Sequence, residues 1–251
     1  MAIVVTTTSS TGSKTLLEMC QAVASEVGFP EPSTMVGNTD ATARQLFRIA
    51  NRHGESMSQE GMWNRLVKEA TFTLTSADQD YDLDTIAPGM RYIIPMTTWD
   101  RSDKRIVLNP ITSREWQYLK GWTTIAGLNR RARIRNNQLE FEDTVSTADN
   151  GKTIAFEYVS NLWVTNSDGS EEKNAFTLDT DKILLDDELF ILGMVWRFRK
   201  SKGLEFEDDR AEYMRLLRMQ LARDGAKRTV SMGSMYPEPY AVFNVPDRNF
   251  G

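Results

Sequence analysis

The sequence predicts an α+β protein: a four-helix core built from N- and C-terminal helix pairs, an inserted antiparallel β region, and an extended C-terminal arm. Three observations carry this. Apolar residues recur every three or four positions from 16 to 57 and again from 185 to 196, the spacing of a helix that buries one face. Between those segments, runs such as Ala70-Thr71-Phe72-Thr73-Leu74 alternate with period two, as a half-buried strand does. The closing stretch GSMYPEPYAVFNVPDRNFG holds three prolines and four aromatics. It cannot continue a helix, is too short to form a core, and is too apolar for a solvating tail.

Taken in order, TLLEMCQAVASEVGF places Leu16, Met19, Cys20, Val23 and Val27 on one helical face that ends near Gly28 and Pro30. Asp40 or Thr39 is placed to cap a second helix whose inner face holds Leu46, Phe47, Ile49, Ala50 and Met57. From Trp63 the period changes to two. In RRARIRNNQLEFE, residues 130–142, a two-residue turn at Asn136-Asn137 sets Ile134 opposite Leu139 and Ala132 opposite Phe141 on one side. The other side then pairs Arg133 with Glu140 and Arg131 with Glu142, so the arginine run reads as salt-paired structure and not as a DNA-facing patch. A further strand follows, in which Ile154, Phe156 and Tyr158 alternate with Ala155, Glu157 and Val159. Helix returns with Leu185, Leu189, Leu192, Val195 and Trp196, acidic at its start, basic at its end and stopped by Gly203. A last helix, ordered the same way, stops near Gly225 and forms a hairpin with it. The expected divisions are a flexible segment 1–13, a helical core 14–62 and 181–228, an inserted β-rich region 63–180, and an arm 229–251.

Composition narrows the function classes. With 251 residues, 40% hydrophobic and 26% charged, the chain sits in the globular range. A net charge of -5 argues against tight nucleic-acid binding, while leaving room for local patches. One cysteine, Cys20, and one histidine, His53, exclude an internal disulfide and Cys/His zinc sites. No run approaches the roughly eighteen apolar residues of a membrane span, and Ala2–Val5 lacks the form of a secretion signal, so synthesis in a cytoplasm is expected.

The chemical look-alikes fail on spacing. Gly12-Ser13-Lys14-Thr15 lacks the order of a phosphate-binding loop and a preceding strand. Asp78, Asp80, Asp82 and Asp84 open like a calcium loop, but Leu83 and Gly89 stand where Gly and Glu are required. That stretch is expected to be a surface turn entering a strand, with Tyr81 and Leu83 inward. His53 has no nucleophile at motif spacing and is expected to be solvated or capping. Spacing alone cannot make an acid/base pair of Glu140 and Glu157. The six tryptophans, Trp63, Trp99, Trp116, Trp122, Trp163 and Trp196, are expected to fill the space between helices and sheet. No catalytic, cofactor or metal residues are assigned, and no enzyme activity is expected.

The segments TLLEMCQAVASEVGFPEPSTMVGNTDATARQLFRIANRHGESM, AFEYVSNLWV and LLDDELFILGMVWRFRKSKGLEFEDDRAEYMRLLRMQLARDG, with the strand entry from Trp63 to Leu74, resemble the tailed-bacteriophage head-to-tail adaptor proteins. These are also called neck proteins, tail accessory factors or head-completion proteins, best known from short-tailed phages. The resemblance spans roughly residues 14–228. It implies a virion structural protein that forms a homo-oligomeric ring, usually of twelve copies, beneath the portal protein. Such a ring extends the channel through which genomic DNA passes without sequence-specific binding, presents a platform for a tail nozzle or tail hub protein, and uses no cofactor and no membrane. In that family the C-terminal extension reaches the portal, which makes Tyr236, Pro237, Tyr240, Val242, Phe243, Val245 and Phe250 the candidate docking residues; Ala241–Val245 alternates as an added strand would. The alternative is a virion-associated binding module, for carbohydrate or a tail fibre, that uses the β region.

Overall fold

The computed structural model describes residues 14–121 and 129–224. Helix α1 (Leu16–Val27) is opened by a capping box: the Thr15 hydroxyl accepts from the Glu18 amide while the Glu18 carboxylate accepts from the Thr15 amide at 2.7 Å. Asp40 opens α2 (Ala41–Gln59) by accepting from the amides of Thr42 and Ala43. There follow β1 (Val67–Thr73), β2 (Asp80–Asp82), the one-turn α3 (Leu83–Ile86), β3 (Met90–Ile93), β4 (Trp99–Asp100), β5 (Arg105–Ile106) and α4 (Ser113–Gly121). Then come β6 (Ala132–Arg135), β7 (Gln138–Phe141), β8 (Thr153–Ser160), β9 (Val164–Thr165), β10 (Glu172–Lys173), β11 (Lys182–Ile183), α5 (Asp187–Lys202) and α6 (Glu207–Asp224).

The four-helix core expected from the sequence does not form. The described residues hold six α-helices and eleven strands in three antiparallel sheets; only the broad α+β character agrees. The physical reason lies in α5. Its apolar spacing was read as one face, yet Leu189, Phe190, Ile191, Gly193, Met194, Val195 and Phe198 are all buried, while Leu185 precedes the helix. A helix buried over most of its circumference needs cover on every side. Helices α1, α2 and α6 each pack on it, and the rest of the cover comes from β-region residues Trp63, Leu66, Val159, Trp163, Val164, Phe176 and Ile183. Asp181 fixes this return of the chain. Its buried carboxylate accepts from the amides of Thr177 and Leu178 and from Lys173, and its carbonyl accepts from the Leu16 amide at 2.8 Å. Burial alone would raise the pKa of Asp181; these donors outweigh it and hold the pKa below the ordinary carboxylate value.

The largest sheet is organised about β8, with β1 along one side and β3 and β4 sharing the other. Ile154, Phe156 and Tyr158 face a second core with Ala70, Leu74, Tyr81, Leu83, Leu139 and Phe141. Val159, on the opposite face, enters the helical core. The simple alternation expected for this strand is therefore incomplete: of its eight residues only Glu157 is exposed.

The 130–142 hairpin has the expected register, with Ala132 opposite Phe141, Arg133 opposite Glu140 and Ile134 opposite Leu139. Asn136 and Asn137 turn at φ 51° and 60°, the left-handed pair that matches strand twist. Arg133 meets Glu140 at 2.5 Å and Arg131 meets Glu142 at 3.0 Å. Tertiary structure adds a partner that the register cannot show: the Arg133 guanidinium lies 3.9 Å from the ring centre of buried Trp116 on α4.

Arg133→Glu removes the ion pair and the ring contact together, and is expected to cost about 1–2 kcal/mol in urea unfolding. Adding Glu140→Arg should recover roughly half, because the pair re-forms with the cation no longer over Trp116. Full recovery would show that the ring contact contributes nothing.

Candidate functional site

The docking residues named from the sequence, Tyr236, Pro237, Tyr240, Val242, Phe243, Val245 and Phe250, lie outside the described residues, as does Trp122. Lys14 and Thr15 of the loop look-alike are engaged with helix termini: Thr15 caps α1, and Lys14 reaches Glu188 at 2.7 Å and the Asp187 carboxylate with its amide. Tyr81 and Leu83 point inward as expected, though Leu83 opens α3 and does not continue a strand. Glu140 and Glu157 fall on different sheets, Glu140 in its ion pair. Trp63, Trp116 and Trp163 are buried, whereas Trp99 and Trp196 are half-buried. Among the described residues no group of His, Cys, Asp and Glu could hold a metal ion, and no helix is long and apolar enough to cross a membrane.

His53 corrects the sequence reading. It is neither solvated nor a cap but fully buried between α2, α5 and α6. Its ring stacks on Phe190 at 5.2 Å and meets Tyr213 edge-on at 5.4 Å. The approach depends on Gly193, where a Cβ would come within 1.9 Å of His53 Nε2. On the adjacent turn the relation is reversed, since Gly54 of α2 lets the Trp163 ring lie where a Cβ would come within 2.1 Å of it. The Arg197 Nε donates to His53 Nδ1 at 3.1 Å, so Nδ1 is the acceptor. Burial first, and the Arg197 charge second, push the pKa of His53 down to about 3; the Leu189 carbonyl opposes them weakly. The imidazole is held neutral. Beside it, the Tyr213 hydroxyl donates to Glu60 at 2.9 Å.

Above this buried network α2 and α5 form a groove of about 330 Å³, lined by Ile49, Arg52, Trp196, Arg197, Lys200 and Ser201. Ile49 and Trp196 are its apolar part, no carboxylate lines it, and Gln45 ties its wall to Ser201 at 2.9 Å. Arg197 and Lys200 approach the Trp196 ring at 4.6 and 6.0 Å. Beside the groove Arg44, Arg48 and Arg52 stand exposed at successive four-residue steps, and none has an ion-pair partner among the described residues. Sequence reasoning missed this stripe because it followed the apolar face of α2. The signal was present: from Asp40 to Glu55 there are three arginines four apart and no acid between. Like charges at that spacing destabilise a helix by about 0.2–0.5 kcal/mol a pair, so the stripe does not serve the fold.

The β region treats its charges differently. Several of its cations pair within the chain, as Arg101 with Glu69 at 2.6 Å, Arg130 with Asp149 at 2.8 Å and Lys152 with Asp103 at 2.7 Å. Arg130, Asp149 and Asp103 line a polar cleft of about 340 Å³ next to the hairpin, where Lys152, Ser146 and Arg130 together hold Asp149 far below the usual carboxylate range. One acidic cluster of the region is unpaired. Asp78, Asp80, Asp82 and Asp84 are exposed and form no ion pair with a described residue. Asp80 and Asp82 flank inward Tyr81 on β2, an edge strand. Set against protein-family models and curated proteins, the chain matches none.

A histidine whose folded pKa lies near 3, against an unfolded value near 6.5, stays neutral while the unfolded chain takes up its proton. Its contribution is therefore complete above pH 6.5 and is lost as pH falls toward 3. Between pH 7 and 5 this amounts to about 2 kcal/mol. Urea unfolding at the two pH values should show that difference shrinking by about as much in His53→Gln, whatever the variant's absolute stability; an unchanged pH dependence would mean that His53 is hydrated.

Proposed function

We propose that this chain is a structural head-to-tail adaptor of a tailed phage. Copies of it form a ring of twelve beneath the portal protein, extend the channel for genomic DNA, and present the docking platform for a tail nozzle or hub protein. Its place is the neck of the virion, its docking arm is residues 229–251, and its role involves no catalysis and no cofactor. The observation that carries the reading is the exposed cationic face of α2 and α5. Three arginines left unmatched in a row on one helix, at a cost to that helix, are available to another macromolecule. The sequence resemblance over roughly residues 14–228 supplies the identity of that assembly. At the last described residue, Asp224 receives both the backbone and the side-chain amide of Asn64 beside the start of β1.

The second reading, a carbohydrate or tail-fibre module, has one observation in its favour. A shallow depression on the five-stranded sheet is lined by Met96, Trp99, Arg101 and Glu157, the mixture of ring and polar groups that sugars stack on. Glycan binding lost in Trp99→Ala would favour it.

The adaptor reading is tested by deleting residues 229–251. Thermal unfolding is expected to be unchanged within a few degrees, and co-sedimentation with the portal is expected to be lost, since buried aromatics carry most of an interface's energy and the loss is multiplied around a ring. A truncated chain that melts far earlier, or that still binds portal at full occupancy, overturns the arm.

A further inference from the structure

Among its described residues, each copy displays an unpaired row of arginines on α2 and an unpaired cluster of aspartates around β2. We propose that copies associate head to tail, the α2–α5 groove of one copy receiving the aspartate ladder at β2 of the next. The proposal deepens the adaptor reading, for it names the contact between identical subunits, but it stands on its own observations.

The first is matching pitch. Arg44, Arg48 and Arg52 are spaced four residues apart on a helix, about 6 Å a step. Asp80 and Asp82 stand two residues apart on β2, about 6.8 Å, and Asp84 follows in the first turn of α3. Tyr81 is buried between Asp80 and Asp82, so both carboxylates stand on the outer side of β2. Asp82 also caps α3 through Thr85, which fixes its position and holds its pKa below the ordinary value.

The second is placement. The groove belongs to the helical core and β2 to the second core. A copy can therefore give with one part and receive with another. An interface between two different patches is heterologous, and repetition of it generates a closed ring or an open filament. The third is the choice of anion. The groove offers Arg52, Arg197 and Lys200 over Ile49 and Trp196, a short cationic row with an apolar base, on a chain of net charge -5. A second copy carries the same net charge, so the contact rests on the local match of its carboxylates to this row.

The experiment is sedimentation velocity of the full chain from about 1 μM to about 1 mM in low salt, where weak contacts are read directly. The wild-type chain is expected to associate with rising concentration, and added salt should weaken it. Arg48→Glu with Arg52→Glu should weaken association by at least about tenfold, as should Asp80→Lys with Asp84→Lys. Mixed in equal amounts, the two variants should associate as the wild type does, because every groove again meets a ladder of opposite sign. Thermal unfolding within a few degrees of wild type confirms that both are folded. If reversal costs the fold, the neutral variants Arg52→Gln and Asp80→Asn read the same contact, each with a severalfold weakening. A wild-type chain that stays monomeric throughout, variants that associate as it does, or a mixture that fails to recover overturns the proposal. So does a monomeric wild type that retains short duplex DNA in a salt-dependent way lost in the arginine variant, which would assign the groove to nucleic acid. None of these outcomes bears on portal binding by the arm, so the two readings fail separately.

Discussion

The structure depends on one strand whose two faces are buried in different places. β8 presents Ile154, Phe156 and Tyr158 to the second core and Val159 to the first, and it pairs with β1, β3 and β4 along its edges. The side-chain period of two makes this possible, since neighbouring residues point to opposite sides of a sheet. It also makes register decisive. A slip of one residue would send Phe156 and Tyr158 out of their core and put Glu157 into it. The two hydrophobic cores are in this sense one cooperative body.

Within the helical core the same close packing is reached by glycine. His53 and Gly54 are consecutive on α2: the first enters space left by Gly193, the second leaves space for Trp163. From there rings run in contact through Trp163, Phe176, Phe190, His53, Tyr213, Trp196 and Phe206, with centroid separations of 5.1 to 6.4 Å. This chain of rings leads from the core to the floor of the cationic groove at Trp196. The groove's shape is thus set by packing beneath it, and Arg197 bridges the two levels, bonded to His53 and Ser56 below while its guanidinium borders the groove.

Charge is sorted by the same geometry. In the β region antiparallel pairing brings opposite charges face to face, and the Arg130, Arg131 and Arg133 side chains find carboxylates there. On α2 the arginines have no strand opposite them, and the acids within helical reach, Asp40 and Glu55 at the two ends of the row, form no ion pair with them. The fold that neutralises one basic cluster leaves the other open.

Local features were legible in the sequence because they are decided within a few residues. The cap at Asp40, the αL stops at Gly28 and Gly203, and the Asn136-Asn137 turn with its Arg133–Glu140 register all follow from short-range chemistry. The stripe at Arg44, Arg48 and Arg52 was equally legible by spacing, and was passed over because the apolar face drew the reading. What only the tertiary structure decided concerns burial from outside an element. Leu189, Leu192, Val195 and Trp196 could be read as one face of a helix in a bundle, yet residues of the β region such as Trp163 and Phe176 close over α5; His53 could be read as solvated, yet it is fully buried because a distant glycine makes room for it. Periodicity reports which residues of an element are apolar. Which other element covers them, and at what distance, depends on contacts across more than a hundred residues, and no local pattern encodes those.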